Sequence, residues 1–283
     1  VICHLSTAAS PAVEPSRTPL AAPLTKGQAV LHTNDTSTPP AIGIIGFGAF
    51  GRLMAQHLRA YFQLSAYDPA VPPGRFAAMP DVMLTSLADA AHCPVVILAT
   101  PVNRLEEIVG AISPYLQPGA LVLDVGSVKT IPAEIMRRAL PDHVDIVATH
   151  PLFGPQSARN GIAGLKIAVC PVRGTRAPRV AAFLRKCLRL DVIITTPEAH
   201  DREAAMVQGL THLIAKVLVQ MEPLPSKMTT RSFDLIMQAV GMVRDDAPEV
   251  FQAIERANPY SLEVRRRFFD LASELDIELG GPS

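Results

Sequence analysis

A run of small and β-branched residues, Ala41-Ile-Gly-Ile-Ile45, leads without a break into Gly46-Phe47-Gly48-Ala49-Phe50-Gly51 and then into a helix-forming segment. A buried strand that turns directly into a helix leaves few folds open, because the turn must be tight and the helix must lie against the strand it leaves. Gly46 permits the turn, Gly48 lets the backbone approach a pyrophosphate, and Gly51 allows close helix packing, with the phosphates resting on the first-turn amides. A second apolar run, Leu64-Ser-Ala-Tyr67, ends in Asp68, 22 residues after Gly46, where a carboxylate meets the adenosine ribose hydroxyls. The spacing predicts a Rossmann-type dinucleotide unit. Asp68 repels a 2′-phosphate and so favours NAD over NADP; Arg75 is the nearby cation that could reach a phosphate, although Pro69, Pro72 and Pro73 direct the loop elsewhere. Thr100, Pro101 and Ser127 are read as further cofactor-binding positions.

Short β-branched runs recur at 95–100, 121–125 and 145–149, with helical segments at 102–112 and 131–140 between them. This alternation predicts a parallel sheet covered on both faces. Runs at 166–170 and 192–195 extend the sheet, with a helix over 176–189 between them. From Pro197 onward strand signals stop, and helices are expected at 197–221, 230–244, 248–258 and 261–279. Thr196 caps the first of these and Pro197 opens it. The expected class is α/β: a disordered Pro/Ala/Ser/Thr-rich tail over 1–40, a Rossmann NAD(P)-binding domain over 41–196, and an all-helical substrate and dimerisation domain over 197–283.

The 26 basic and 26 acidic residues cancel, so no global field attracts nucleic acid or an anionic membrane. Small molecules and a second copy of the chain are the expected partners. No apolar run reaches the roughly 18 residues a spanning helix needs. Cys3, Cys93, Cys170 and Cys187 are scattered, which argues against zinc, an iron–sulfur cluster or a disulfide framework, and the expectation is no metal and a reducing, cytoplasmic setting. The tail has no sustained apolar core for a signal peptide and few basic residues for a transit peptide.

Ligands of an open parallel sheet bind at the carboxyl ends of its strands. Two loops leave such ends: Gly126-Ser127-Val128-Lys129, and His150-Pro-Leu-Phe-Gly-Pro155. His150 can accept a proton from a hydroxyl at a carbon that loses hydride, while Ser127 and Lys129 orient the imidazole or bind an anionic substrate. The alternative for His150 is a turn histidine bonded to backbone. On the helix from Pro197, Asp201, Gln208 and His212 form a polar line in otherwise apolar surroundings. Such a line needs partners, either a polar ligand or a self-satisfied network.

The motifs Gly46-Phe-Gly48-Ala-Phe-Gly51, Asp124-Val-Gly-Ser127-Val-Lys129, Thr149-His150-Pro-Leu-Phe-Gly-Pro155, and His200-Asp201 followed by Gln208-Gly-Leu-Thr211-His212 resemble the prephenate and arogenate dehydrogenases of tyrosine biosynthesis over residues 41–275. The resemblance implies oxidative decarboxylation of a cyclohexadienyl acid, with His150 polarising the ring hydroxyl, Ser127 and Lys129 assisting, Gln208, Thr211 and His212 at the substrate pocket, and a dimer formed through the helical domain. The family commonly carries an acid six positions after the motif histidine, where it pairs with the amino group of arogenate. Here that position is Gln156, which favours prephenate. The family's carboxylate-binding arginine falls at Arg231 or Arg244. Against a β-hydroxyacid dehydrogenase, which has a helix lysine followed four residues later by asparagine, Lys216 is followed by Gln220 and Lys227 by Arg231. A non-catalytic nucleotide sensor is the second rival, and the persistence of His150, Ser127 and Lys129 argues against it. No segment resembles a chorismate mutase or a regulatory domain.

Overall fold

The structure is a computed structural model that describes residues 39–76 and 78–280, so the tail expected over 1–40 lies almost wholly outside the described residues. In chain order the elements are β1 (Ala41–Ile45), α1 (Ala49–Leu58), β2 (Gln63–Tyr67), β3 (Gly74–Phe76), β4 (Met79–Leu84), α2 (Leu87–Ala91), β5 (Val95–Leu98), α3 (Leu105–Ile112), β6 (Leu121–Asp124), α4 (Thr130–Ala139), β7 (Asp145–Pro151), β8 (Lys166–Arg173), α5 (Ala177–Lys186) and β9 (Asp191–Ile194). The helical part follows as α6 (Pro197–Ala204), α7 (Leu210–Gln220), α8 (Arg231–Val243), α9 (Pro248–Gln252) and α10 (Ser261–Glu278). All the strands join one sheet in the order β3-β4-β2-β1-β5-β6-β7-β8-β9. A Rossmann-like sheet domain thus precedes a helical region.

Burial explains why the central strands read as continuous apolar runs. Ile42 and Ile44 of β1 face the core shared with α1 and α5, while Ile45 faces the core shared with α2, α3 and α4. Val95 and Ile97 against Val96 and Leu98 divide β5 in the same way. A strand covered on both faces has no polar side to reveal its period.

Three features depart from the expected layout. Strands β3 and β4 were not anticipated, because β4 carries Pro80 and Asp81 and buries only Val82 and Leu84, the composition of a sheet margin. The pair β7·β8 is antiparallel, as is β3·β4, in an otherwise parallel sheet. Between β7 and β8 the chain forms turns and no crossover helix, and a parallel return requires such a crossover. Finally, the helix expected over 197–221 contains a π turn at Ala205–Gly209, and α9 runs into another at Ala253–Ala257. The two π turns meet: a Cβ on Gly209 would lie 3.3 Å from Glu255 Oε1. Glu255 in turn accepts from Arg265 of α10 at 2.6 Å, so the helices lock to one another around this point.

Candidate active site

The glycine turn after β1 is closed behind and open in front. Gly46 has φ +98°, and a Cβ there would lie 2.4 Å from the Ala99 carbonyl oxygen; a Cβ on Gly51 would lie 2.1 Å from the Gly46 oxygen. At Gly48 no described atom lies within 4 Å of an added Cβ. Helix α1 has no side-chain cap, so its first amides are free to donate. Asp68 stands beside the turn, accepting from Phe47 N at 2.8 Å and Ala70 N at 2.9 Å. The Thr100 hydroxyl, at the exit of β5, is buried with no partner among the described residues. Open space at Gly48, uncapped amides and an unpartnered hydroxyl are what a dinucleotide requires. Gly48 and Ala49 are exposed and Phe50 and Thr100 half-buried, with Pro101 exposed next to them. The Phe47 side chain, by contrast, is wholly buried against Phe76, so its place in the cofactor set reduces to its backbone.

His150, at the end of β7, lies at the centre of a buried polar cluster drawn from three elements. Its Nδ1 is 2.8 Å from His200 Nε2 of α6, and His200 Nδ1 is 2.8 Å from Asp201 Oδ1. Asp201 also accepts from the amides of Lys129 at 2.7 Å and Thr130 at 2.8 Å, at the start of α4. Asn258 donates to the Asp201 carbonyl at 2.7 Å. The backbone-bonded turn histidine is therefore not what forms. Burial pushes the His150 imidazole well below its ordinary range, and the His200 ring and the Lys129 ammonium add to the shift. For Asp201 burial pulls upward, but the donors His200, Thr130 and Lys129 outweigh it and hold the carboxyl below its usual range.

Lys129 requires a correction. Its side chain is fully buried, and its ammonium donates to Asp124 Oδ2 and to the Thr149 carbonyl at 2.6 Å. A cation so enclosed cannot bind a substrate anion, so its influence on the site is through its charge next to His150. Burial pushes the Asp124 carboxyl up, against the pull of the same ammonium. Ser127, in the turn between β6 and α4, is half-buried and makes no side-chain hydrogen bond among the described residues, leaving its hydroxyl free for a ligand.

The polar line on the helix from Pro197 also resolves differently from a single ligand-facing stripe. Asp201 is satisfied entirely by protein. His212 Nδ1 lies 3.0 Å from the Gln208 carbonyl and its Nε2 lies 3.2 Å from Asp246 Oδ2. Within this line, Gln208 Oε1 is buried without a partner among the described residues. Thr211 is exposed and donates to Val207 O at 2.7 Å. The loop after β7 reaches this second cluster, since a Cβ on Gly154 would lie 3.9 Å from Asp246 Oδ1. Arg231 is exposed in the first turn of α8, and Arg244 is paired with Glu222. Gln156 accepts from Arg159. His200 and Asp246 carried no assigned role in the sequence; the His200-Asp201 dipeptide was the available signal for the first, and nothing in the local sequence pointed to the second. Cys93, Cys170 and Cys187 are free thiols, with burial pushing Cys170 up to about 12.

Sheet order and glycine turn define a Rossmann-type nucleotide-binding fold. The sequence profile of the prephenate dehydrogenase nucleotide-binding domain matches residues 77–188. Arogenate dehydrogenase 1, chloroplastic, of Arabidopsis thaliana is 27% identical over 251 residues, covering 85% of this chain and 39% of that protein. Arogenate dehydrogenase 2, chloroplastic, of the same plant is 29% identical over 252 residues, covering 82% of this chain and 68% of that protein. The chain thus spans well under half the length of the first relative and about two thirds of the second. The crystal structure of prephenate dehydrogenase from A. aeolicus in complex with hydroxyphenyl propionate and NAD+ superposes with a TM-score of 0.65 at 21% identity, covering 87% of this chain and 92% of that one. These likenesses relate the sheet domain to the nucleotide-binding domain of prephenate dehydrogenases, and most of the chain to the two arogenate dehydrogenases at 27% and 29% identity. Among the described residues no helix is long and apolar enough to cross a membrane.

The glycine geometry separates two substitutions. Gly51→Ala forces its methyl into the Gly46 carbonyl and is expected to cost about 2 kcal/mol or more, lowering Tm by several degrees. Gly48→Ala should leave the melt unchanged and weaken dinucleotide binding in a fluorescence titration; equal melts and equal affinities for both variants would contradict the cradle. A second expectation concerns acid. His150 has a lowered folded pKa, so the unfolded chain binds more protons below its ordinary value near 6.5, and stability falls as pH drops through that value toward the folded pKa. Replacing His150 with Asn should flatten the fall in Tm between pH 7 and pH 5, and an unchanged slope would show that this ring does not supply it.

Proposed function

We propose that the chain oxidatively decarboxylates prephenate to 4-hydroxyphenylpyruvate with NAD, in tyrosine biosynthesis. The observation that carries this reading is a buried imidazole, held neutral at the carboxyl end of β7, next to a turn whose Ser127 hydroxyl is free. A nicotinamide cofactor, held by the glycine turn, the first amides of α1 and Asp68, would supply the hydride acceptor for a reaction in which carbon dioxide leaves and the ring becomes aromatic. Aromatisation drives the chemistry, so the protein must mainly orient the ring and receive the hydroxyl proton. His150 holds that proton, and Ser127 positions the hydroxyl. Gln208, with its unpartnered buried oxygen, Thr211 and His212 line the substrate side.

The substrate's two carboxylates need cations. Arg231 is exposed, and the Arg244–Glu222 pair is itself solvent-accessible, so Arg244 can exchange its partner for a substrate carboxylate at small cost. NAD rather than NADP follows from Asp68: its amide bonds leave lone pairs for ribose hydroxyls, and its charge opposes a 2′-phosphate. Prephenate rather than arogenate follows from Gln156. Its oxygen already accepts from Arg159, so the position offers an amide beside a guanidinium where an ammonium would want an anion. A second reading, turnover of arogenate, draws on the names of the two Arabidopsis relatives.

An initial-rate assay of prephenate or arogenate with NAD or NADP tests these choices together. Prephenate with NAD should be fastest, His150→Asn should lower kcat by about 10²-fold or more while sparing NAD affinity, and Gln156→Glu should raise the arogenate-to-prephenate ratio of kcat/KM. Arogenate preference would overturn the Gln156 reading, and wild-type turnover of neither substrate would overturn the proposed reaction.

We also infer a homodimer formed through the helices. Ile214 and Val217 of α7 and Leu235 and Ile236 of α8, two helices that pack against each other, are large apolar side chains at least 40% exposed, as are Leu271 and Leu275 of α10. Light scattering should return twice the 30.3 kDa chain mass, and a monomer at micromolar concentration would remove the inference.

A further inference from the structure

The function above uses one imidazole, but the cluster contains two. His150, His200 and Asp201 form an unbroken buried line with both connecting distances at 2.8 Å, the three residues 3%, 6% and 0% exposed. Each proton in that line is determined by the group before it. An ionised Asp201 can only accept, and Oδ1 faces His200 Nδ1 while also receiving the Lys129 amide. His200 Nδ1 therefore carries its proton, and a neutral His200 has its lone pair on Nε2. That lone pair faces His150 Nδ1, which must donate. The basic nitrogen of His150 is then Nε2, the one that no protein group occupies among the described residues.

We propose that His200 is the positioning residue of the site: it fixes His150 as the Nδ1–H tautomer and takes over the positive charge when His150 is protonated. This rests on the reading that His150 receives the hydroxyl proton. In the step, the substrate O–H bond breaks and an N–H bond forms at His150 Nε2. The His150 Nδ1–H bond breaks and an N–H bond forms at His200 Nε2. One proton enters the line, one moves within it, and no electrons are exchanged with the protein. The charge ends on a ring bonded to the Asp201 carboxylate, away from the Lys129 ammonium's influence on His150. The titratable groups that act on His150 are His200 of α6 and Lys129 in the turn after β6, the first hydrogen-bonded to Asp201 and the second paired with Asp124. A lone imidazole next to that ammonium would hold a proton poorly; the second ring with its carboxylate provides the compensation. A wrong tautomer in an otherwise intact acid–base line is known to cost orders of magnitude in rate.

The test uses the full chain with 15N-labelled histidine, read by long-range 1H–15N correlation, with His150→Asn and His200→Gln assigning the two rings. Wild-type His150 is expected as Nδ1–H at neutral pH, and its observation as Nε2–H would overturn the proposal without reference to activity. In His200→Phe the acceptor is gone, and His150 should shift to the Nε2–H form, with kcat lowered about 10²-fold and KM within about threefold. His200→Gln offers a carbonyl oxygen to the same Nδ1–H but cannot take its proton. It should restore the tautomer while kcat stays about tenfold or more below wild type, and it serves as the deciding variant should the Phe protein fail to melt cooperatively. A wild-type kcat in His200→Gln would overturn the proton transfer. Wild-type turnover of neither prephenate nor arogenate would sink the proposed reaction instead, while the tautomer measurement would still decide the role of His200.

Discussion

The Asp201 carboxylate is the constraint on which the arrangement depends. It caps the start of α4 through the amides of Lys129 and Thr130, orients the His200 ring, and sits on a helix whose backbone is tied to Asn258. One buried anion thereby joins the sheet domain to the helical region and places α6 against the end of β7. The favourable term is the helix N-terminus, where orphan amides and the macrodipole both accept negative charge. Removing the anion would leave the Lys129 and Thr130 amides without their acceptor, at about 1–3 kcal/mol for each donor left buried and unpaired. Docking of α6 and orientation of the two imidazoles are consequently one physical problem in this chain.

The Lys129–Asp124 pair works in the opposite sense to a substrate clamp. A lysine with no exposed surface must be paired, and the carboxylate and the Thr149 carbonyl satisfy it. Its remaining effect is electrostatic: a fixed cation behind the β7 terminus discourages protonation of His150. Burial does most of the work in keeping the His150 ring neutral, with the His200 ring and this cation adding to it, and a neutral ring is what the proposed general-base role requires. The proposed reaction, pulled forward by aromatisation, tolerates a weak base better than most.

Much of this was legible in sequence, for identifiable reasons. The glycine turn and Asp68 follow a spacing that a phosphate and a ribose impose, and the structure gives Gly46 the turn conformation and Gly51 the close packing that spacing implies while leaving space open at Gly48. The start of α6 was legible because Thr196 accepts from the Ala199 amide ahead of Pro197. Lys129 misled because a lysine next to a site residue reads as a ligand-binding cation; only the fold shows Asp124 turned toward it from five positions earlier. His200 was present in the motif without a role, since its partner arrives from 50 positions away along the chain. Strand β4 escaped because a marginal strand needs only two buried side chains, and Pro80 and Asp81 obscure the alternation.

The π turn at Ala205–Gly209 shows how a correct periodicity can yield the wrong face. In an uninterrupted α-helix Asp201 and His212, eleven positions apart, would point almost the same way. One extra residue in the turn rotates everything after it by about 100°. His212 consequently leaves the line of Asp201 and pairs with Asp246 beyond α8, while Asp201 stays on the sheet side with His200. The rotation divides a single stripe into two polar clusters on different sides of the same helix, and Gly209, with no side chain, lets the Glu255 turn approach closely enough to hold it. The segment after β7 links them: it begins at His150 in one cluster and passes within contact of Asp246 in the other at Gly154. The proposed substrate, with a reacting hydroxyl at one end of its ring and a carboxylate at the other, would need two polar regions at a fixed separation, and a π turn in a packed helix is a means of setting one.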